Sequence, residues 1–231
     1  MSDSKTKTKR VEPRLLKGLQ DYLPATALPR RRVIAMAEEA FLRFGFAPVY
    51  TPAMEHLDVL LGTGGENTNK ELFRLESPEG EPLALRFDHT VPYARVLAQY
   101  PDRLKAPFRR FTVGPVWRAD KPGPGRFREF VQLDADVAGA PPIAADADII
   151  AVMAAIMQAL GVTDYRIQIN HRGLVDALLA HCGIDEVARQ KHVLRVVDKL
   201  DKVGLEKVRQ ELGPGRVDES GDPIPGVKLD E

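Results

Sequence analysis

Apolar residues recur at helical spacing over residues 28–44, where Val33, Ala37, Ala40, Phe41 and Phe44 share one face. Gly45 ends this predicted helix, and a short strand over 46–51 follows, closed by Pro52, whose missing N–H suits a strand end. Residues 57–61 read as a short helix and 62–70 as a polar, glycine-rich loop. Two strands, 71–75 and 82–87, flank the turn residues 77–80. Thr90 can cap a helix running to about residue 99, with Pro92 in its first turn. Residues 108–118 and 129–138 alternate as two long strands around a loop rich in Gly and Pro, a predicted antiparallel hairpin with a cationic tip. Asp146 can cap a helix over 147–160. Residues 165–170 read as a strand, 174–182 as a helix, and 185–212 as charged helix. Residues 213–231, rich in Gly, Pro and Asp, show no element. No internal repeat is present. Strands outnumber βαβ units, so the pattern predicts an α+β fold with an antiparallel sheet flanked by helices.

Composition narrows this picture little. The chain has 231 residues, 44% hydrophobic and 29% charged, enough for one large globular domain or one and a half small ones. Its 33 basic and 33 acidic residues cancel, so nucleic acid, if bound, is met through a local face. Cys182 is the single cysteine, which excludes an internal disulfide and is in keeping with a reducing compartment. It reads as a small buried residue at a helix end, not a nucleophile. Residues 1–13 read as a disordered leader whose Lys5, Lys7, Lys9 and Arg10 are solvated. No signal sequence is visible, and no apolar run approaches the roughly 20 residues of a membrane helix. The expectation is a cytoplasmic protein without a membrane partner.

The second hairpin strand is the most informative segment. Side chains alternate along a strand, so Phe130, Gln132, Asp134 and Asp136 share one face. Val131, Leu133, Ala135 and Val137 form the other, an ordinary core face. An aromatic ring beside an amide and two carboxylates suits a planar, polar ligand; a solvated strand face is the plain alternative. Arg118, Arg126 and Arg128 surround the tip, with Arg109 and Arg110 lower down. Arginine forks pair bidentately with phosphate and carboxylate, and the tip glycines permit close approach. No P-loop pattern is present.

Residues 111–139, FTVGPVWRADKPGPGRFREFVQLDADVAG, closely resemble motif 2 of class II aminoacyl-tRNA synthetases in its histidyl form. Residues 16–24, LKGLQDYLP, resemble that family's N-terminal signature. The helix from residue 28 through 46–52, FAPVYTP, resembles motif 1, the dimer-forming motif. Residues 85–90, LRFDHT, resemble the histidine-site segment, and 198–203, DKLDKV, its eukaryote-like branch. The resemblance covers about residues 14–212.

It implies a class II catalytic core over 14–170 and the start of a helical insertion over 171–231. It also implies roles. Arg118 would hold the ATP α-phosphate and the substrate carboxylate, as the catalytic residue. Asp120 stands where motif 2 usually has a glutamate near the adenine. Arg126 would grip the γ-phosphate, and Phe130 would stack on adenine. Asp88 and Gln132 would bind the α-ammonium of L-histidine, with Thr90 helping to position it. Asp136 would accept a hydrogen bond from the imidazole N–H, a task suited to an acceptor-only group. His89 is kept as a helix-start residue and not a ligand. The implied activity is histidine–tRNA ligation: ATP-dependent formation of histidyl-adenylate, then transfer to tRNA(His), by a homodimer formed through motif 1. Mg²⁺ would enter with ATP, since no metal-ligand cluster is visible.

No second histidine-site motif, motif 3 or anticodon-binding domain follows in these residues. The resemblance therefore implies a sheet with an exposed edge and little or no aminoacylation by the 231 residues alone. Two other readings compete: a non-catalytic relative of the ATP phosphoribosyltransferase regulatory type, which would have an eroded ATP site, and a binding module without chemistry.

Overall fold

A computed structural model describes residues 11–62 and 71–229. The chain divides into two compact units, residues 1–167 and 168–231. Most of the leader and of the predicted 62–70 loop lies outside the described residues.

In the first unit, helix α1 (Pro24–Arg43) starts on a proline at its first position and buries Ala37, Ala40 and Phe41. That spacing of three and four is the one a single helical face requires. Gly45, at φ 75°, lets the chain turn back, and Phe46 N–H returns to Phe41 O at 3.0 Å. This closure satisfies the last carbonyls of the helix. Strand β1 is only Ala47–Pro48, shorter than the predicted 46–51, because it pairs with a single neighbour. Then follow β2 (Met54–His56), α2 (Leu57–Leu61) and β3 (Arg74–Glu76). Next come β4 (Pro82–Leu85), α3 (Thr90–Gln99), β5 (Phe108–Trp117), β6 (Glu129–Ala138) and α4 (Pro142–Ala159).

Among the described residues of this unit two three-stranded sheets result, in the orders β1-β5-β6 and β2-β4-β3. The fold is α+β as expected, with one exception to the antiparallel rule: β1 runs parallel to β5, Ala47 beside Arg110 and Pro48 beside Phe111. β6 has a strand neighbour on one side only among the described residues. The sheets meet where Trp117 N–H donates to Arg86 O at 3.0 Å. The Arg86 side chain adds to that junction, donating to Thr51 O at 2.7 Å and Pro115 O at 3.0 Å.

Two apolar clusters form the core of this unit among the described residues: Phe41, Phe46, Phe111 and Val152, with Val113, Ala135 and Val137 packed against them, and Leu60, Leu72 and Ala84. The apolar face predicted for β6 is thus only half core. Val131 and Leu133 instead line an open groove with Ala25, Pro29 and Val33 of α1, and Leu133 is 40% exposed.

Three further expectations are corrected. Helix α4 begins at Pro142, one turn before the predicted cap Asp146, because proline at the first helical position forgoes no hydrogen bond. Its 18 residues have a mean hydropathy of 1.5, so by length and composition α4 could cross a membrane, contrary to the sequence expectation. The helix packs through Ile149, Val152 and Ile156 onto the aromatic core. Residues 165–170 form no strand, as no partner strand pairs with them among the described residues.

The second unit contains α5 (Arg172–His181), α6 (Val187–Val197), α7 (Leu200–Val203) and α8 (Leu205–Leu212). It ends in a hairpin, β7 (Gly215–Val217) and β8 (Pro223–Pro225), where no element was expected. Its core is Leu179, Ile184, Val193, Val196, Val208 and Val227. Gly204, at φ 83°, breaks the predicted 185–212 helix. Glu211 is fully buried and ion-paired to Lys199 and Arg216, both at 2.8 Å. Cys182 is exposed, not buried, at the C-terminal cap of α5.

Candidate functional site

The β5–β6 hairpin carries the candidate site, and its register orders it. Arg110 faces Asp136, Thr112 faces Asp134, Gly114 faces Gln132 and Val116 faces Phe130. Directly opposed residues of a pleated pair project to the same side, so one face collects these groups while Phe111, Val113, Ala135 and Val137 enter the core.

At the base of the hairpin, the turn before α3 closes over this face. His89 N–H donates to Asp134 Oδ2 at 3.3 Å, and its Nε2–H donates to Gly114 O at 3.1 Å. A side chain at position 114 would meet Arg86 Nη2 at 3.2 Å and the His89 ring at 3.4 Å, so glycine there lets the turn approach. His89 is 1% exposed. Burial pushes its imidazole below the ordinary range, despite the bond to Gly114. It is a structural histidine, as expected.

The helix cap differs from expectation. Thr90 is the first helical residue and exposed, and its side chain makes no cap. Asp88 does that work: its Oδ1 accepts from Val91 N–H at 3.1 Å. Burial still pushes the Asp88 carboxyl upward, the cap bond opposing it and nearby Asp134 adding to it. Asp88, Asp134 and Asp136 thus gather around the base with Gln132, whose Oε1 is buried without a hydrogen-bond partner. Burial also raises Asp136, against the pull of Arg110. Tyr93 OH is likewise buried and unpartnered. Unmet buried polar atoms are costly, and their concentration on one face marks a place where a polar ligand would be held.

At the loop end of the ladder, Arg118 donates through Nε to Phe87 O at 3.2 Å, and its guanidinium lies 5.2 Å from the centroid of the Phe130 ring. At the tip, Arg126 pairs with Asp120; its side chain is 67% exposed. Arg128 anchors the tip, donating to Asp120 O at 3.0 Å, while its N–H donates to Gly18 O at 2.7 Å. The structure therefore brings Asp88 and Asp136 together below the turn before α3 with Gln132 on the same strand face, Arg118 and Phe130 together at the loop end of the ladder, and Asp120 and Arg126 together at the tip. Thr90 joins none of these groups. Among the described residues no three His, Cys, Asp or Glu converge as metal ligands. Tyr93 is a site residue that the sequence did not single out, and Arg110, named there only as one of the hairpin's cations, is buried against Asp136. The hairpin register alone, which places Arg110 opposite Asp136, was the available signal.

Comparison with known proteins follows the same segments. A family model described as histidyl-tRNA synthetase matches residues 18–219. The histidine–tRNA ligase of Rhodopirellula baltica is 43% identical over 202 residues, 87% of this chain and 45% of that protein. That of Paracoccus denitrificans is 41% identical, over 99% of this chain and 48% of its own length. Among solved structures, histidyl-tRNA synthetase from Nostoc sp. PCC 7120 superposes with a TM-score of 0.76 at 28% identity, covering 87% of this chain and 44% of that one. An ATP phosphoribosyltransferase regulatory subunit/histidyl-tRNA synthetase from Bacillus halodurans shares the fold, with a TM-score of 0.70 at 24% identity over 92% of this chain and 57% of its own. The chain spans about half the length of the curated relatives it matches.

Proposed function

The chain belongs to the histidyl-tRNA synthetase family, and from that premise we propose that its β5–β6 hairpin is the part of a histidine–tRNA ligase site that binds L-histidine and ATP. One observation carries the reading: Gln132 Oε1 is buried without a hydrogen-bond partner on the strand face that also carries Asp136, whose carboxyl lies beside Asp88. An amide and two carboxylates so placed fit an α-ammonium and an imidazole N–H better than they fit water, because acceptor-only groups reject apolar side chains.

In this reading Asp88 and Gln132 take the ammonium and Asp136 takes the imidazole, while Thr90, exposed at the start of α3, helps to position the amino acid only once it is bound. The histidine carboxylate attacks the α-phosphorus of ATP, and pyrophosphate leaves with the P–O bonding electrons. Arg118, at the loop end of the ladder, neutralises the charge that both oxygens share in the in-line displacement. Adenine stacks on the face of Phe130 away from Arg118. Arg126 leaves its exposed pair with Asp120 for the γ-phosphate; surface ion pairs are worth at most about 1 kcal/mol, so the exchange is cheap. Asp120 then lies near the base. Mg²⁺ comes with the nucleotide as its phosphate complex, in keeping with the ligand chemistry here. The acyl group then passes to the 3′ end of tRNA(His).

The apolar residues that α1 leaves exposed, Leu28, Val33 and Met36, support pairing of two copies through this helix. A cytoplasmic setting without membrane attachment belongs to the same reading. The alternative of a regulatory, non-catalytic relative expects an eroded ATP site, and the retention of Arg118, Arg126 and Phe130 speaks for the ligase.

Calorimetric titration with L-histidine tests the amino-acid pocket. The chain is expected to bind histidine, and Asp136→Ala to weaken that binding about tenfold to a hundredfold, as one charged hydrogen bond of about 1.5–3 kcal/mol implies. Equal affinity of the variant would remove Asp136 from the site.

A further inference from the structure

Arg110 is a buried cation that the proposed reaction does not use. Its side chain is fully enclosed on β5, directly opposite Asp136. Nη1 donates to Thr112 Oγ1 at 3.0 Å, and Nη2 forms an ion pair with Asp136 Oδ2. The guanidinium carbon lies 4.6 Å from the centroid of the Tyr93 ring. Thr112 donates in turn to Val49 O at 2.5 Å, just past β1. The fork is thus fixed from two strands and one helix.

Enclosing a guanidinium is costly, and an apolar side chain at such a position often serves stability as well. The pair therefore calls for a reason beyond packing. Its geometry supplies one. Asp136 Oδ2 is shut away from water, yet the Asp136 side chain is 26% exposed. Its Oδ1 has no hydrogen-bond partner among the described residues. One oxygen is held and the other is offered.

We propose that Arg110 is a positioning residue for histidine recognition: by gripping Oδ2 of Asp136 it fixes Oδ1 as a charged acceptor for the imidazole N–H. The inference rests on the assignment of the imidazole to Asp136 given above.

The charged and titratable groups facing Asp136 are Arg110 from β5, Asp134 on its own strand, and Asp88 and Tyr93 from the α3 side. Burial and Asp134 push the Asp136 carboxyl up, and Arg110 is the group that brings it down. Without Arg110 the carboxyl takes up its proton at higher pH and ceases to be acceptor-only. The held orientation is lost as well.

The test is histidine binding by calorimetry between pH 5 and 8.5 for the 231-residue chain and for Arg110→Met, Arg110→Lys and Asp136→Asn. Arg110→Met is expected to bind about tenfold more weakly at pH 7 and to move the acid limb of the profile to higher pH. Histidine's own imidazole titrates near 6.5 in every variant and cancels in the difference. Arg110→Lys keeps the charge but not the planar fork, so it is expected to keep the acid limb and lose affinity several-fold. Arg110→Met added to Asp136→Asn is expected to cost nothing further. A merely structural arginine would lower the melting temperature and leave the acid limb in place, and that result, or wild-type affinity in Arg110→Met, would overturn the proposal. If Arg110→Met fails to fold, wild-type affinity in Arg110→Lys overturns it instead. If the wild-type chain binds no histidine, the functional reading fails. The inference is then decided by NMR titration of the Asp136 carboxyl, where a midpoint unmoved by loss of the Arg110 charge overturns it separately.

Discussion

Phe41→Ala is expected to destabilise the first unit by about 3–5 kcal/mol, the cost of truncating a buried aromatic ring. Phe41 is 3% exposed. Its ring stacks on Phe111 of β5 with centroids 5.0 Å apart and planes 13° apart, and meets Phe46 edge-on at 6.0 Å. The three rings join α1, the turn after it and the central strand of the β1-β5-β6 sheet. Truncation removes the transfer free energy of the ring, leaves a void, and forfeits two aromatic contacts worth about 0.5–1.5 kcal/mol each. Phe41→Leu refills most of the space and is expected to cost under about 2 kcal/mol. Urea unfolding followed by Trp117 fluorescence measures both. A shift in midpoint with an unchanged slope is expected, and a loss below about 1 kcal/mol for Phe41→Ala would contradict this account of the core.

The second large effect belongs to residues 168–231. Glu211→Ala is expected to cost about 3 kcal/mol, because it leaves Arg216 partly buried without its anion. Glu211 is fully enclosed and takes Arg216 Nε at 2.9 Å and Lys199 Nζ at 2.8 Å. Arg216 is 14% exposed and Lys199 43%. The arginine therefore supplies most of the effect, and the nearness of Lys199 to water places the figure at the low end of the buried-pair range. The hydrogen bond from Lys199, then that from Arg216, holds the Glu211 carboxyl below its usual range against burial. A carboxyl lowered on folding adds stability that is complete above its unfolded value, about 4.3. That stability is lost as pH falls through the lower folded value. The unit is thus expected to weaken below about pH 4.3, and Glu211→Gln to remove this part of the acid dependence. Amide hydrogen exchange of α6 and α8 across pH 3–6, corrected for intrinsic rates, reads it. An acid dependence that is the same in Glu211→Gln would assign the loss to other groups.

Local signals were legible and paired ones were not. The 129–138 strand matches β6 at both ends, since ten alternating residues carry their own period. The 57–61 and 90–99 helices match α2 and α3. By contrast β2, three residues long, exists only because Met54, Glu55 and His56 lie beside β4. The β7–β8 hairpin was hidden by the Gly and Pro content that usually marks loops. The expected 165–170 strand had the right composition but no neighbour to pair with. At the site, the polar face of β6 was readable from alternation. Asp88 taking the cap role from Thr90 was not, because both side chains suit it. The burial of Arg110 was hidden too, because it depends on Tyr93 and Asp136 arriving from elsewhere in the chain.

The hairpin also decides which kinds of change the site can absorb. Along β6 every second residue belongs to the site and every other one to the core or to the α1 groove. One residue inserted between Gln132 and Asp136 would turn Asp136 toward the aromatic core and Val137 toward the ligand. Deletion would do the same. The strand can therefore be edited one letter for another but not lengthened or shortened. The ten-residue ladder ends at Trp117 and Glu129, and only in the loop beyond it can the chain gain or lose residues without turning the recognition face over.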